Sequence, residues 1–196
     1  MGEFMIFALA LIVSYIIGSI PVGYLIARLK GIDIREHGSG NIGTTNVWRN
    51  LGIIPGLITL TGDVAKGFLG VFIGLKAGGQ GLEILCGMAA IAGHSWSVFL
   101  RFKGGKIIAT GLGVIIAISY QVALFAIVVW LVTVAVSMYV SLGSLAAAIT
   151  VPIFMYLLGL ETSYVVFGIF IAIIAVYKHS SNIKRIIQGT ENKIGR

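Results

Sequence analysis

The residues best suited to chemistry fall in three short polar islands of an otherwise apolar chain. The first runs Gly38-Ser39-Gly40-Asn41-Ile42-Gly43-Thr44-Thr45-Asn46-Val47-Trp48-Arg49. Its glycines permit positive φ and close backbone approach, so several N–H groups can converge on one anion, with hydroxyls and amides as further donors. Arg49 adds a planar fork that grips phosphate oxygens in bidentate fashion. A simple polar connector is the plainer reading, and Trp48 suits the membrane interface.

Gly93-His94-Ser95-Trp96 and Arg101-Phe102-Lys103-Gly104-Gly105-Lys106 make the second island. Two lysines around a glycine pair are again phosphate chemistry. The strand and the G-x-x-x-x-G-K-[ST] spacing of a Walker A loop are missing, so this is not a nucleotide-hydrolysis loop. The lysines alone would also serve as membrane anchors, and His94 as a hydrogen-bonded packing residue.

The third island is His179-Ser180-Ser181-Asn182, whose i, i+3 spacing sets His179 and Asn182 on one helical face. A general-base role for His179 is chemically possible, and so is a structural one. Gly189-Thr190-Glu191 ties down the tail, and Ser141-Leu142-Gly143-Ser144 is a weaker hydroxyl cluster. Asp63 and Lys66, also i, i+3, sit inside an apolar run, where each charge costs about 2.5–3.5 kcal/mol. As a pair facing a bundle interior they neutralise each other; a proton or ion pathway is the alternative. No metal-ligand spacing occurs, no nucleophile has a base beside it in sequence, and no cofactor is expected.

The elements that must hold these islands are membrane helices. Of 196 residues, 58% are hydrophobic and 11% charged, and the mean hydropathy is +1.02, which leaves too little polar surface for a soluble domain of this size. About 20 apolar residues cross a bilayer. Seven segments approach that length, at 4–27, 51–75, 82–100, 107–119, 121–139, 142–160 and 163–178. Only Ser119 to Gln121 separates the fourth from the fifth, so one long helix and six spans is the competing division. The first run lacks the basic flank and cleavage site of a signal peptide and reads as a retained span.

Charge favours seven. With the N-terminus extracytoplasmic, the cytoplasmic side receives Arg28, Lys30, Arg35, Arg49, Arg101, Lys103, Lys106, Lys178, Lys184, Arg185, Lys193 and Arg196, twelve of fourteen basic residues. That agrees with the positive-inside rule and places all three islands on one face. The expected fold is therefore an all-α membrane protein, a compact bundle of seven transmembrane helices forming a single domain over 1–196, with a cytoplasmic C-terminus and polar loops forming a cytoplasmic-side site. Glycines within the spans, as in Gly70-x-x-x-Gly74, predict close helix packing. The net charge of +7 is scattered in short clusters with little aromatic interleaving, which excludes nucleic acid as a partner. Cys86 lies in an apolar run and reads as a small buried residue.

These motifs, in this order, resemble the bacterial membrane family of glycerol-3-phosphate acyltransferases that use acyl phosphate as donor. The family pattern reads G-S-G-N-x-G-[AT]-T-N with a following Arg, then G-H with F-K-G-G-K, then H-x-x-N with G-x-E, and the likeness runs from the first span to Glu191. The resemblance implies transfer of an acyl group to the 1-position of glycerol 3-phosphate, giving lysophosphatidic acid and phosphate, in the bacterial inner membrane with lipid around the chain. It implies catalytic roles for Ser39, Arg49, Lys106, His179 and Asn182, and substrate contacts from Gly38, Gly40, Asn41, Thr45, Asn46, Lys103, Gly104, Gly105 and Ser144. By the same resemblance Glu191 is structural, and Asp63-x-x-Lys66-Gly67 belongs to the second helix. Two positions depart from the pattern: Ser97 stands where the family usually has proline, and Ile107 where a small residue follows the second lysine.

The inventory suits that reaction independently, because cations must outnumber carboxylates around two phosphorylated substrates, and Arg49, Lys103 and Lys106 meet that demand. Direct transfer without an acyl-enzyme is expected, with the proton passing either to His179 or to a substrate phosphate oxygen. From another class, a small transporter or channel for phosphorylated metabolites would use similar loops, but it needs a site reachable from both faces.

Overall fold

Each of the seven apolar segments becomes helix, because a backbone in lipid has to satisfy its own hydrogen bonds. The computed structural model describes residues 2–78 and 81–194, so Arg196, counted above among the cytoplasmic cations, lies outside them. Among the described residues there is no strand. Helices α1 (Gly2–Ser19) and α2 (Val22–Leu29) form the first apolar stretch, interrupted at Ile20-Pro21. There proline removes a backbone donor and crowds the preceding turn. Next come α3 (Thr44–Leu51), α4 (Ile53–Ala77), α5 (Leu82–Ser95) with a 3-10 turn at Val98–Leu100, and α6 (Ile108–Ile118). Last are α7 (Tyr120–Ser137), α8 (Val140–Leu157), α9 (Thr162–Lys178) and α10 (Ser180–Ile187), the final two bent by 57°.

Five stretches are long and apolar enough to cross a membrane, Gly2–Leu29, Ile53–Ala77, Leu82–Leu100, Tyr120–Ser137 and Val140–Leu157, and the bent α9–α10 pair makes a sixth. The protein is thus an all-helical membrane protein with five to six candidate spans, and α6, apolar but only 11 residues long, is the segment that falls short. The single long helix considered for the fourth and fifth segments does not form. Ser119 is extended at φ −156 and ψ 107, and its hydroxyl accepts the Val122 N–H, which caps a new helix.

The chain divides into two compact units, 1–118 and 119–196. In the first, glycines let backbones touch. A Cβ on Gly67 would meet the Thr110 carbonyl and one on Gly113 the Val64 carbonyl, so α4 and α6 lock reciprocally. Gly70 and Gly74 hold α4 against α5 in the same way, beside Ala90, Cys86 and Glu83. The second unit packs α8 between its neighbours, with Gly143 against Val134, Gly168 against Met155, and the rings of Phe125 and Phe154 stacked at 4.8 Å. Large apolar side chains such as Leu9, Ile58, Val136 and Ile173 stand exposed, while Thr59, Asp63 and Lys66 are buried. This inversion is that of a chain whose solvent is lipid.

Candidate active site

The first island is part loop and part helix. Thr44 to Arg49, read above as loop, belong to α3, which starts after Gly43 with extended φ and ψ. The loop before it is organised by Asn46, which is buried. Asn46 Nδ2 donates to the carbonyls of Ile34 (3.2 Å), His37 (2.9 Å) and Asn41 (2.8 Å), and Oδ1 accepts the Ser39 N–H at 2.9 Å. Gly38 and Gly40 are left-handed, at φ +57 and +69, and a Cβ on Gly38 would run into the Asn46 amide. Both conditions demand glycine.

Much of the loop's donor capacity is used internally. Besides Ser39, the Gly43 N–H goes to Asn41 Oδ1 and the Gly40 N–H to the His37 carbonyl. The N–H groups that can still meet an anion include those of the first turn of α3, at Thr44 and Thr45, where a helix start has no intrahelical acceptors. Thr44, not among the expected site residues, has a buried hydroxyl with no hydrogen-bond partner among the described residues. Ser39 and Arg49 are exposed and Thr45 is half-buried.

A compact charge cluster braces this loop from its N-terminal side. Asp33 caps the 3-10 turn Ile34–Glu36 and pairs with Arg35 at 2.6 Å and Arg28 at 2.9 Å. Hydrogen bonds from the Arg35 guanidinium, against the opposing effect of burial, hold the Asp33 carboxyl far below the usual carboxylate range. The same contact raises the Arg35 guanidinium, which stacks over Tyr24.

The second island is a tight loop between α5 and α6. Phe102 N–H bonds to the Ser97 carbonyl (2.8 Å), Gly105 N–H to the His94 carbonyl (2.9 Å), and Ser95 Oγ to the Gly105 carbonyl (3.3 Å). Left-handed residues here are not the glycines but Arg101 (φ 53), Phe102 (φ 61) and Ile107 (φ 66). Gly104 and Gly105 are needed for a different reason: their Cβ atoms would strike the His94 carbonyl and the His94 ring. Lys106 is half-buried and Lys103 exposed. Both departures from the family pattern have structural outcomes. Ser97 has φ −66, the value proline imposes, and its hydroxyl donates to the Ser19 carbonyl at 2.6 Å. Ile107 combines a left-handed backbone with 1% exposure, so its side chain is anchored in the core.

These two islands meet. Leu100, from the turn of the second, packs in one buried cluster with Ile34, Ile42 and Val47 around the first.

The third island lies in the second unit. His179 links α9 to α10, is buried, and its Nδ1 donates to the Ala175 carbonyl at 2.8 Å. A carbonyl only accepts, so the proton sits on Nδ1 and Nε2 is the basic nitrogen. Ile183 N–H bonds to the His179 carbonyl, which carries the helical register from His179 to buried Asn182. Glu191 gathers the surroundings, accepting from Ser141 Oγ (2.7 Å), Asn182 Nδ2 (2.6 Å) and Arg185 Nε (2.6 Å). Burial opposes its ionisation, yet these bonds and the Arg185 charge prevail and lower its pKa. Ser144 is buried, donates to the Val140 carbonyl at 2.9 Å and accepts from Trp130 Nε1 at 3.4 Å.

The glycerol-3-phosphate acyltransferase family model matches residues 8–189. Glycerol-3-phosphate acyltransferases of Desulforudis audaxviator and Desulforamulus reducens are 55% and 54% identical, over 92% and 93% of this chain and 91% and 92% of their own lengths. The solved glycerol 3-phosphate form of PlsY (YgiH), an integral membrane glycerol 3-phosphate acyltransferase, superposes with a TM-score of 0.93 at 40% identity, covering 96% of each chain. Its lysophosphatidic acid form gives 0.91 at 39%, over 96% of this chain and 95% of that one. With the ordered motifs, the fold and the full-length match in agreement, the chain belongs to the glycerol-3-phosphate acyltransferase family.

Proposed function

We propose that this chain transfers a fatty acyl group from acyl phosphate to the 1-hydroxyl of glycerol 3-phosphate, giving 1-acylglycerol 3-phosphate and phosphate, at the cytoplasmic face of a bacterial inner membrane. The observation that carries the reading is the meeting of two anion-suited loops over one apolar cluster, Leu100 beneath Ile42 and Val47. With the phosphates of both substrates present, up to about four negative charges need cations. Arg49, Lys103 and Lys106 supply them. The Gly38–Asn46 segment and Arg49 hold the acyl phosphate, and Gly104, Gly105 and Lys106 hold glycerol 3-phosphate.

An acyl phosphate is already activated, so alignment alone contributes on the order of 7–11 kcal/mol. The hydroxyl oxygen of glycerol 3-phosphate bonds to the acyl carbon as the bond from that carbon to the phosphate oxygen breaks. Arg49 and Lys106 stabilise the departing phosphate, Ser39 donates a hydrogen bond, and Asn182 and Ser144 attend the acceptor. The proton passes to His179 Nε2 or to a phosphate oxygen. Seven spans with the N-terminus extracytoplasmic, α6 being the fourth, put twelve basic residues on the side of the site. The family match crosses Ser119 without a break, which supports one catalytic domain over the whole chain.

Purified protein supplied with palmitoyl phosphate and glycerol 3-phosphate should release phosphate and form lysophosphatidic acid, and palmitoyl-CoA should not replace the donor. Arg49→Ala and Lys106→Ala should each lose about a hundredfold or more in turnover. Full activity in either variant, or a preference for palmitoyl-CoA, refutes the assignment.

A further inference from the structure

Behind the second loop, the interior of the first unit holds three ionisable side chains in a line. Lys66, Asp63 and His94 are 4%, 2% and 4% exposed. Lys66 Nζ lies 2.8 Å from Asp63 Oδ1 and donates to the Ile20 carbonyl at 3.0 Å, where the α1–α2 break leaves that acceptor available. The same Asp63 oxygen is 3.7 Å from His94 Nδ1. On its far edge the His94 ring presses on Gly105 so closely that a Cβ there would overlap Nε2, and the His94 carbonyl takes the Gly105 N–H.

The loop above this line needs holding. Arg101, Phe102 and Ile107 are all left-handed, and such conformations persist only where the surroundings over-determine them. Backbone bonds to His94 and Ser97 supply part of that restraint. The His94 ring supplies the part directly beneath Gly105, and its other edge faces the Asp63 carboxylate at 3.7 Å, a charge contact longer than a hydrogen bond. A buried ion pair is weak evidence of stability by itself, since apolar residues of similar size often replace one without loss.

We propose that Asp63, Lys66 and His94 are positioning residues, which orient the His94 ring and thereby shape Gly104–Lys106 to receive the phosphate of glycerol 3-phosphate. This rests on the assignment of that loop to glycerol 3-phosphate made above. In the Asp63→Leu/Lys66→Met double variant, which leaves no unpaired buried charge, glycerol 3-phosphate binding measured by calorimetry without donor should weaken on the order of ten- to a hundredfold. Its KM should rise by the same factor, while the KM for palmitoyl phosphate and the thermal midpoint stay near the wild-type values.

His94→Ala, which keeps the ion pair, should show the same split and decides the matter where the double variant does not fold. Wild-type affinity for glycerol 3-phosphate in either variant overturns the proposal, as does a parallel loss in both KM values and in the midpoint. Wild-type protein that binds no glycerol 3-phosphate overturns the loop assignment and the proposal together. Binding without turnover of palmitoyl phosphate removes only the donor.

Discussion

Ile107 shows how one residue carries two opposed effects. Its left-handed backbone costs about 1–3 kcal/mol, while burying its side chain returns about 1.5–3 kcal/mol. Truncation to alanine loses the burial and keeps most of the strain, whereas glycine loses the burial and the strain together. Ile107→Gly should therefore be at least as stable as Ile107→Ala, the reverse of the order expected in a helix interior. Thermal unfolding in detergent ranks the two, and an alanine variant clearly more stable than the glycine one would show that the backbone there is unstrained. The residue types of this loop were readable as phosphate chemistry, but the role of its glycines was not. Gly104 and Gly105 look like flexible turn formers in sequence. They are small because His94, from the preceding helix, occupies the space, and that contact depends on helix rotation.

Among the elements, the apolar helices were legible because each is an apolar run with few charges, and the break at Ser119 followed from a short polar interval. Helix α3 was not, and α10 only at its start, where the spacing of His179 and Asn182 reads as helical, because eight polar-rich residues carry no spanning signal and their helicity comes from packing against neighbours. Ser144 illustrates the limit for hydroxyls, since an intrahelical bond to Val140 accounts for its placement as well as any ligand would. Asp33 braces the loop before α3, Glu191 ties α10 to the start of α8, and both carboxyls are held below their ordinary values. A depressed carboxyl stabilises the fold above its unfolded pKa, about 4 for both types, and that contribution is lost as pH falls through the folded value. The thermal midpoint should be flat from neutral pH down to about 5 and fall below it. In Glu191→Gln and Asp33→Asn the fall should be shallower; identical acid limbs in wild type and variants would exclude these groups as its source.

For the whole molecule, the seven spans proposed above predict termini on opposite faces. Cys86 is the one cysteine and is fully buried, so a Cys86→Ser background with single cysteines introduced at Glu3 or at Thr190 reports sidedness directly. An impermeant maleimide added to intact cells should label the first and not the second, and equal labelling of both would return the chain to six spans. The length of α6 sets a further condition. Its 11 residues rise about 16 Å, roughly half the depth of the hydrocarbon. On the seven-span reading proposed above, α6 runs to the far interface and so begins well below the near one, which recesses Lys106, two residues before its start. In the reaction proposed above, the soluble acceptor then descends to a lipid-borne donor whose tail stays in the bilayer, so lengthening that tail adds carbon only to the part already dissolved in lipid.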